Sequence, residues 1–317
     1  MEQKKQPEIL LAPLQGFTDA VYRKAYSELF PGIDACFIPY ISVNNNEFLK
    51  KYKREILPVN NQQKRVIPQV LAKSSDDLTM LTEILVDQGY SEINLNMGCP
   101  YPMVTNRGQG AGLLPHPEKI KKILSVFFQK FDVKLSVKMR TGLHSAAEIK
   151  RVIPVLNDFN ISEIILHPRI ASQLYTGTPS IDTFQYATQN SHHKMVYNGD
   201  IFSVSDYKQL KELIPKTHSF MLGRGILQNP FLPEALKNIQ FSDSEKREKL
   251  AEFHRLIFTY YSEWMDNDGN VLNKMKQFWI YFSHNFDRGE KILKGIKKSR
   301  SLSAYKTEVI KVFEHSF

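Results

Sequence analysis

The sequence predicts a closed parallel (β/α)8 barrel followed by a small bundle of helices. Three observations support this fold class. Eight short runs rich in Val, Ile, Leu or Phe recur over residues 8–225, helical patterns lie between most of them, and only helical patterns follow residue 241. Strands that alternate with helices form parallel sheets, and eight such units are typical of a barrel. We therefore expect a barrel domain over 1–241 and a helical domain over 242–317.

The predicted strands are short, and most end in glycine, proline or a charged residue. They cover 8–13, 35–40, 66–72, 92–98, 134–140, 163–169, 194–199 and 219–225. Helical periodicity predicts helices over 74–89, 116–130, 145–158 and 203–214, and after the barrel over 244–265, 270–284, 289–301 and 305–317. A doubly wound open sheet is the alternative fold. Such a sheet has fewer strands and carries G-x-G-x-x-G after the first one, where this chain has "APLQGFTD", so the barrel is favoured.

The composition is that of a soluble globular protein with an excess of positive charge. No apolar run approaches the roughly 18 residues of a membrane span, and the N-terminal residues lack a signal-peptide pattern. Two cysteines, Cys36 and Cys99, cannot build a disulfide framework or a four-ligand zinc site, and no other metal motif is present. We therefore expect a cytoplasmic protein with neither a membrane partner nor a metal. The 42 Lys and Arg exceed the 33 Asp and Glu, and the net charge of +9 favours polyanionic partners.

Polar and glycine residues gather where the predicted strands end, and in a barrel these ends meet on the rim that holds the active site. The set comprises Gln69, Asn96, Cys99, Lys138, Arg140, His167, Arg169, Asn198, Gly199, Asp200, Gly223 and Arg224. Any one of them could be a cap, a turn former or a solvated charge. Their convergence on one rim favours a functional site.

The glycines that follow the seventh and eighth strands, in "YNGDIFS" and "LGRGILQNP", predict a phosphate site. Barrels commonly bind phosphate at this place, because glycine lets backbone N–H groups approach an anion and arginine adds a fork of donors. Two tight turns that merely require glycine are the alternative interpretation. With Lys138 and His167 on neighbouring strand ends and no metal motif, the pattern indicates an organic cofactor that carries a phosphate.

Six segments resemble, in order, the motifs of the tRNA-dihydrouridine synthases. They are "APLQGFTD", "NLNMGCP", "VKMRTG", "HPRIASQLYTG", "YNGDI" and "LGRG". The resemblance covers residues 8–235 and extends to the helical region, and N-x-N-x-G-C-P followed by "GQGAGLL" is a specific signal. Pro168 departs from it, since the family usually has glycine there, and "APLQG" replaces the commoner "APM-x-G". The resemblance implies an FMN-dependent reduction of uridine in tRNA to 5,6-dihydrouridine, with NADPH or NADH as electron donor.

The resemblance also implies a role for each matching residue. Cys99 would donate a proton to the uracil, and Asn96 would contact the uracil or the flavin edge. Arg140, Arg169 and Tyr175 would lie with the substrate. The cofactor would be held by Pro13, Gln69, Lys138, His167, Asn198, Gly199, Asp200, Gly223 and Arg224.

Reduction of the uracil C5=C6 bond explains why a cysteine would stand at this turn. Reduced flavin supplies a hydride from N5 to C6, and an acid must then protonate C5. A thiol with an ordinary pKa near 8.5 is mostly protonated at pH 7 and can still release its proton. Cys99 is therefore expected to be an acid with no strong cation lowering its pKa, whereas Cys36 is expected to be a buried structural thiol. The loop "YPMVTNRGQGAG" after Cys99 is expected to close over the substrate.

The helical region carries much of the excess charge. Residues 270–317 contain ten Lys or Arg and four Asp or Glu, a local net charge of +6. Lys297, Lys298 and Arg300 are expected to bind RNA phosphates, which positions an RNA without reading its sequence. The chain is expected to act as a monomer. Three alternatives stay open: the same chemistry on ribosomal RNA, a flavin barrel that acts on a small molecule, and an RNA-binding barrel without catalysis.

Overall fold

The computed structural model of the protein describes residues 6–44, 47–48, 52–63 and 65–315. Its strands are β1 (Glu8–Leu11), β2 (Ala35–Asn44), β3 (Glu47–Phe48), β4 (Val66–Leu71), β5 (Glu92–Met97), β6 (Lys134–Gly142), β7 (Glu163–Ile170), β8 (Lys194–Asn198) and β9 (Ser219–Leu222). Parallel pairing runs in the order β1-β9-β8-β7-β6-β5-β4-β2, and the pairing of β1 with β2 closes the ring. Short β3 pairs antiparallel with the end of β2. The predicted barrel is confirmed.

Each of the eight ring strands begins at its predicted residue, but its end differs from the prediction by one to four residues, and three of these differences have a local cause. β1 ends at Leu11 instead of residue 13, because Pro13 has no N–H with which to continue the ladder. β9 ends at Leu222 instead of residue 225, because Arg224 already begins a helix. β2 runs on to Asn44 because its end pairs with β3.

The helices alternate with the ring strands and then continue beyond them. They are α1 (Ala20–Leu29), α2 (Lys53–Ile56), α3 (Ser75–Asp87), α4 (Pro102–Thr105), α5 (Pro117–Lys130), α6 (Ile149–Asn157), α7 (Ile181–Asn190), α8 (Val204–Leu213), α9 (Arg224–Gln228), α10 (Leu232–Leu236), α11 (Asp243–Trp264), α12 (Asp268–Phe282), α13 (Gly289–Lys298) and α14 (Leu302–His315). Side-chain oxygens of Ser74, Ser203 and Ser242 accept backbone N–H bonds at the starts of α3, α8 and α11. Serine at this position stabilises a helix start, which explains why these boundaries lie within a residue or two of the predicted ones.

The barrel has an inner and an outer apolar layer, because alternate strand residues face into and out of a ring of strands. The inner cluster contains Leu10, Ala12, Ala35, Phe37, Ile67, Ile165, Val196 and Met221. The outer layer joins the strands to the helices and includes Cys36, which is 5% exposed. Burial raises the pKa of the Cys36 thiol to about 11, so the prediction of a structural thiol is confirmed.

The C-terminal helices share this outer core with the barrel. Phe253 of α11 lies against Tyr22, Tyr26 and Phe30 of α1, with ring centroids 5.6, 5.9 and 5.3 Å apart. Edge-on aromatic pairs of this kind add to the stabilisation that burial provides. The division into domains at residue 241 stays a prediction, although one continuous apolar cluster spans both parts. Within the residues described, no helix is both long and apolar enough to cross a membrane.

Candidate active site

A cavity of about 310 Å³ opens at the carboxyl ends of the barrel strands. Its wall brings together most of the residues that the sequence predicts for the site: Pro13, Gln69, Asn96, Cys99, Lys138, Arg140, His167, Tyr175, Asn198, Gly199, Asp200, Gly223 and Arg224. Residues from seven different ring strands or the loops after them therefore meet in one place, as expected for a barrel active site.

Cys99 lies on the turn after β5 and is 8% exposed. Its N–H donates to Asn96 Oδ1 at 2.9 Å, and its carbonyl accepts the Ala111 N–H at 3.1 Å. Gly110, at a φ of +56°, approaches so closely that an added Cβ would lie 2.8 Å from the Cys99 carbonyl oxygen. The glycine-rich segment Gly110–Leu113 is thus buried against the Cys99 backbone, so these glycines serve close packing, and closure of the preceding residues over the substrate stays a prediction.

The Cys99 thiol is held in its protonated form. Burial raises its pKa, and this effect exceeds the opposing charges of Arg140 and Lys138. The expected protonation state is therefore confirmed: Arg140 and Lys138 favour the thiolate, but desolvation disfavours it more, so these cations do not bring the pKa of Cys99 below its ordinary value. Tyr40 packs against the small buried cluster that contains Cys99, and burial raises the pKa of Tyr40 to about 12.

A chain of buried polar side chains fixes the orientation of the residues beneath Cys99. Ser136 Oγ donates to the Ile93 carbonyl at 3.2 Å and accepts from Asn94 Nδ2 at 2.9 Å. Asn94 Oδ1 accepts from Gln69 Nε2, and Gln69 Oε1 accepts from Asn96 Nδ2, each at 2.7 Å. This row of hydrogen bonds ends on the Ile93 carbonyl at one side and on the N–H groups of Gly98 and Cys99 at the other. These two ends determine which atom of each side-chain amide is the oxygen and which is the nitrogen.

Lys138 places an ammonium group in the cavity wall, and His167 places a neutral imidazole ring there. Within the described part of the chain, the Lys138 ammonium has no hydrogen bond or ion pair, and burial followed by the charge of Arg140 lowers its pKa to about 8. Burial and the surrounding cations hold the pKa of His167 well below its usual value. Arg169 Nη1 lies 3.1 Å from His167 Nε2 and can only donate, so the single ring proton is on Nδ1.

Arg169 has a different place from the one predicted. It is 1% exposed and is not part of the cavity wall as the described residues define it. Its guanidinium donates to Asp200 and to the carbonyls of Thr176 and Gly177. With its donors engaged in the protein, Arg169 is not free to bind a substrate directly, and it instead fixes Asp200 and the turn beside it.

Asp200 lies between two arginines at the predicted phosphate end. Its Oδ1 accepts from Arg169 Nη1 at 3.0 Å and from Arg224 Nη2 at 2.7 Å. Although burial opposes this, the two guanidinium groups hold the pKa of Asp200 below its usual value. The residue adopts a φ of +25°, which is uncommon outside glycine. Its position is therefore set by the arginine pair.

Five aromatic residues that the sequence did not single out complete the cavity: Phe17, Tyr40, Tyr101, Phe202 and Tyr281. Tyr40 is the last residue of the predicted second strand, so the rule applied to the other strand ends would have found it. Tyr281 comes from α12 in the helical region, and no local signal predicts that it reaches the barrel. Tyr175, which was predicted, is 40% exposed and lies 4.3 Å from the Arg224 guanidinium at the entrance.

Lys297, Lys298 and Arg300 lie at and just beyond the end of α13. All three are exposed, and none belongs to the cavity wall that the described residues form. Their predicted contact with RNA stays a prediction.

The donor set suits a flat organic group with carbonyl oxygens and a phosphate. The unpaired Lys138 ammonium and the Nδ1–H of neutral His167 are hydrogen-bond donors without acceptors of their own among the described residues. Gly223 and Arg224 also line the cavity and offer backbone and guanidinium donors to a phosphate. No group of three His, Cys, Asp or Glu capable of holding a metal is found in the described ranges. The FMN that the resemblance implies is consistent with these residues.

Comparisons with known proteins place the chain in a family. A family model described as "Dihydrouridine synthase (Dus)" matches residues 10–315. The tRNA-dihydrouridine(16) synthase of Neisseria meningitidis is 24% identical over 325 residues, which cover 99% of this chain and 97% of that protein. The tRNA-dihydrouridine synthase B of Pasteurella multocida is 25% identical over 237 residues, or 74% and 70% of the two chains.

A solved structure shows the same fold at low identity. The old yellow enzyme of Trypanosoma cruzi aligns with a TM-score of 0.54 at 7% identity, over 74% of this chain and 89% of that one. Because the family model spans nearly the whole chain, the barrel, the cysteine turn and the helical region belong to one family unit. The protein is a member of the dihydrouridine synthase family and an enzyme of that family.

Proposed function

We propose that the protein reduces uridine in tRNA to 5,6-dihydrouridine, with bound FMN and with NADPH or NADH as electron donor. The observation that carries the proposal is that Cys99, whose pKa is raised by burial, lines the same cavity as the unpaired Lys138 ammonium. The names of the relatives from Neisseria meningitidis and Pasteurella multocida support tRNA as the substrate. A cytoplasmic location fits this substrate.

Bound FMN, once reduced, supplies the hydride for C6 of the uracil. Cys99 provides the proton for C5, and the electron pair of the S–H bond stays on sulfur as a thiolate. The charges of Arg140 and Lys138 favour that thiolate, because both lower the pKa of Cys99 against the effect of burial. The site thus keeps the acid protonated at rest and stabilises its conjugate base after transfer.

The other residues divide between cofactor and substrate. Gln69, Lys138 and His167 are proposed to hold the flavin ring, and Asn96, Arg140 and Tyr175 to hold the uracil. Pro13, Asn198, Gly199, Gly223 and Arg224 are proposed to hold the ribityl and phosphate end. Asp200 takes part through Arg224, whose guanidinium it orients.

The absorbance spectrum of the purified protein tests the proposal first. We expect flavin bands that bleach when NADPH is added without oxygen, followed by dihydrouridine formation in an unmodified tRNA transcript but not in free uridine. Activity on free uridine would favour a flavin enzyme for small molecules, and activity on a ribosomal RNA transcript alone would move the chemistry to that RNA. A colourless protein that FMN cannot reconstitute would overturn the proposal in favour of a non-catalytic RNA-binding barrel.

The basic end of α13 tests the RNA part of the proposal. Replacing Lys297, Lys298 and Arg300 together by alanine is expected to weaken tRNA binding and to reduce the slope of log K against log salt by about 2 to 3, one unit per lost phosphate contact. Binding at several salt concentrations measures this slope. The exposed surface pair Lys121 and Lys122 of α5, replaced in the same way, serves as the control. An unchanged slope in the triple variant would show that these three residues do not contact the RNA.

A further inference from the structure

The loop between β1 and α1, residues 12–19, forms one wall of the cavity and contacts the C-terminal helices. Leu14 and Phe17 from this loop line the cavity, and so does Tyr281 from α12. The rings of Phe17 and Tyr281 meet edge to face, with centroids 5.1 Å apart and planes at 85°. One wall of the barrel site is therefore built from both parts of the chain.

Lys274 of α12 connects this loop to the helical region. Its Nζ donates to the Gly16 carbonyl at 2.8 Å and lies 2.7 Å from Asp19 Oδ2. The side chains of Lys274 and Asp19 are only 14% and 19% exposed. An ion pair that is partly removed from water is stronger than one on the open surface, provided that it is also hydrogen-bonded.

Tyr261 of α11 supports the same contact. Its hydroxyl donates to Asp19 Oδ1 at 2.8 Å, and its ring lies 4.9 Å from Lys274 Nζ. Asp19 also caps α1 by accepting the Tyr22 N–H at 3.1 Å. One carboxylate thus joins the loop, the start of α1 and two C-terminal helices.

The internal bonds of the loop define its shape but not its position. Thr18 Oγ1 donates to the Ala12 carbonyl at 2.9 Å and accepts the Leu14 N–H at 2.8 Å. At the tip, Gly16 has a φ of +82°, and a Cβ there would meet nothing within 4 Å. The Lys274 bond to the Gly16 carbonyl is therefore a direct link between the tip of the loop and the rest of the molecule.

We propose that Lys274 is a positioning residue of the cofactor site: it holds the tip of the β1–α1 loop so that Leu14 and Phe17 keep the cavity in its binding shape. The inference rests on the proposed function, since FMN is the ligand whose affinity it concerns. Lys274 is one of the ten Lys and Arg of residues 270–317, but its ammonium is already paired with Asp19 and is therefore not available to bind RNA phosphates. A contact with the helical region thus acts on the redox site without touching substrate or cofactor.

The first test measures FMN binding by absorbance and flavin fluorescence without RNA. Lys274→Met keeps the apolar stem and removes the charge, and we expect the dissociation constant of FMN to rise about tenfold because the cavity wall is no longer preorganised. Lys276→Met removes the same charge from the same helix and is expected to leave FMN affinity unchanged. Asp19→Asn keeps the cap and the acceptor for Tyr261, and its effect on FMN affinity is expected to vanish in the Lys274→Met background.

The second test reads the loop itself in the protein without flavin. The N–H groups of Phe17 and Thr18 donate to the Leu14 carbonyl at 2.9 and 3.0 Å, so hydrogen exchange of residues 14–19 reports the order of the loop. Lys274→Met is expected to speed this exchange and Lys276→Met is not. Equal FMN affinity in wild type and Lys274→Met, or unchanged exchange, overturns the inference. If wild type binds no FMN, the proposed function fails, and the exchange measurement alone still decides whether Lys274 positions the loop.

Discussion

The Cys99→Ala variant is expected to lose uridine reduction by about 10²–10⁴-fold, the usual contribution of a positioned acid, while it still binds flavin and oxidises NADPH. The two half-reactions separate because the thiol is needed only when C5 of the uracil takes up its proton. Dihydrouridine formed in a tRNA transcript and NADPH consumed with oxygen as acceptor measure the two halves.

Cys36→Ala is the matched control for this experiment. It removes the other thiol, which is buried in the outer core and is not part of the cavity wall formed by the described residues. We expect it to lower stability modestly through the lost packing and to leave uridine reduction intact. Full activity in Cys99→Ala would show that another group, or solvent, protonates C5. Because burial raises the pKa of Cys99, wild-type activity should not fall from thiol ionisation until the pH exceeds the ordinary pKa of a cysteine.

Lys138→Met is expected to change stability and function in opposite directions. Folding places the ammonium where its pKa falls to about 8 from 10.5, so the charged form is destabilised in the native state. Methionine removes that charge and keeps most of the stem, and the flavin-free variant should be more stable at pH 7 by about 3 kcal/mol, since each unit of pKa difference corresponds to about 1.4 kcal/mol. FMN affinity should fall at least about tenfold, since the cavity loses its unpaired donor.

The stability difference between wild type and Lys138→Met depends on pH because folding lowers the pKa of Lys138. The native state releases the Lys138 proton near pH 8, whereas the unfolded chain holds it until pH 10.5. Between these values the unfolded state binds more protons, so the stability of the wild type rises relative to the variant as pH increases. Thermal unfolding at pH 7 and pH 9.5 measures the change. Lys134→Met, on the same strand but exposed, is the control and should stay within about 0.5 kcal/mol at both pH values.

The sequence was most informative where the fold itself brings residues together. Parallel strands in a ring end on one rim, so Gln69, Cys99 and Lys138 could be assigned to one site although they lie far apart in the chain. The strand boundaries could be predicted only to within a few residues. At β2 the difference arises from pairing with β3, which is a tertiary contact that local patterns do not encode.

The parts of the site that were missed depend on contacts between elements. Arg169 follows His167 by two residues and so shares its face of β7, but only Asp200 and the turn at Gly177 decide that its guanidinium stays in the protein. The glycines at 110 and 112 suggested a mobile loop, whereas they allow a close approach to the backbones of Cys99 and Thr105. A glycine can provide backbone flexibility or allow another part of the backbone to pack closely against it. A single sequence does not show which of these two roles a given glycine has.

The aromatic contact between α1 and α11 has a consequence for how this protein can vary. Tyr22, Tyr26 and Phe30 are almost fully buried against Phe253, so a barrel cut at residue 241 would expose a continuous aromatic strip to water. The helical region is therefore not a unit that can be exchanged alone between relatives. A functional chimera has to carry α1 together with the helical region, and substitutions on the two sides of this contact are expected to be inherited as pairs.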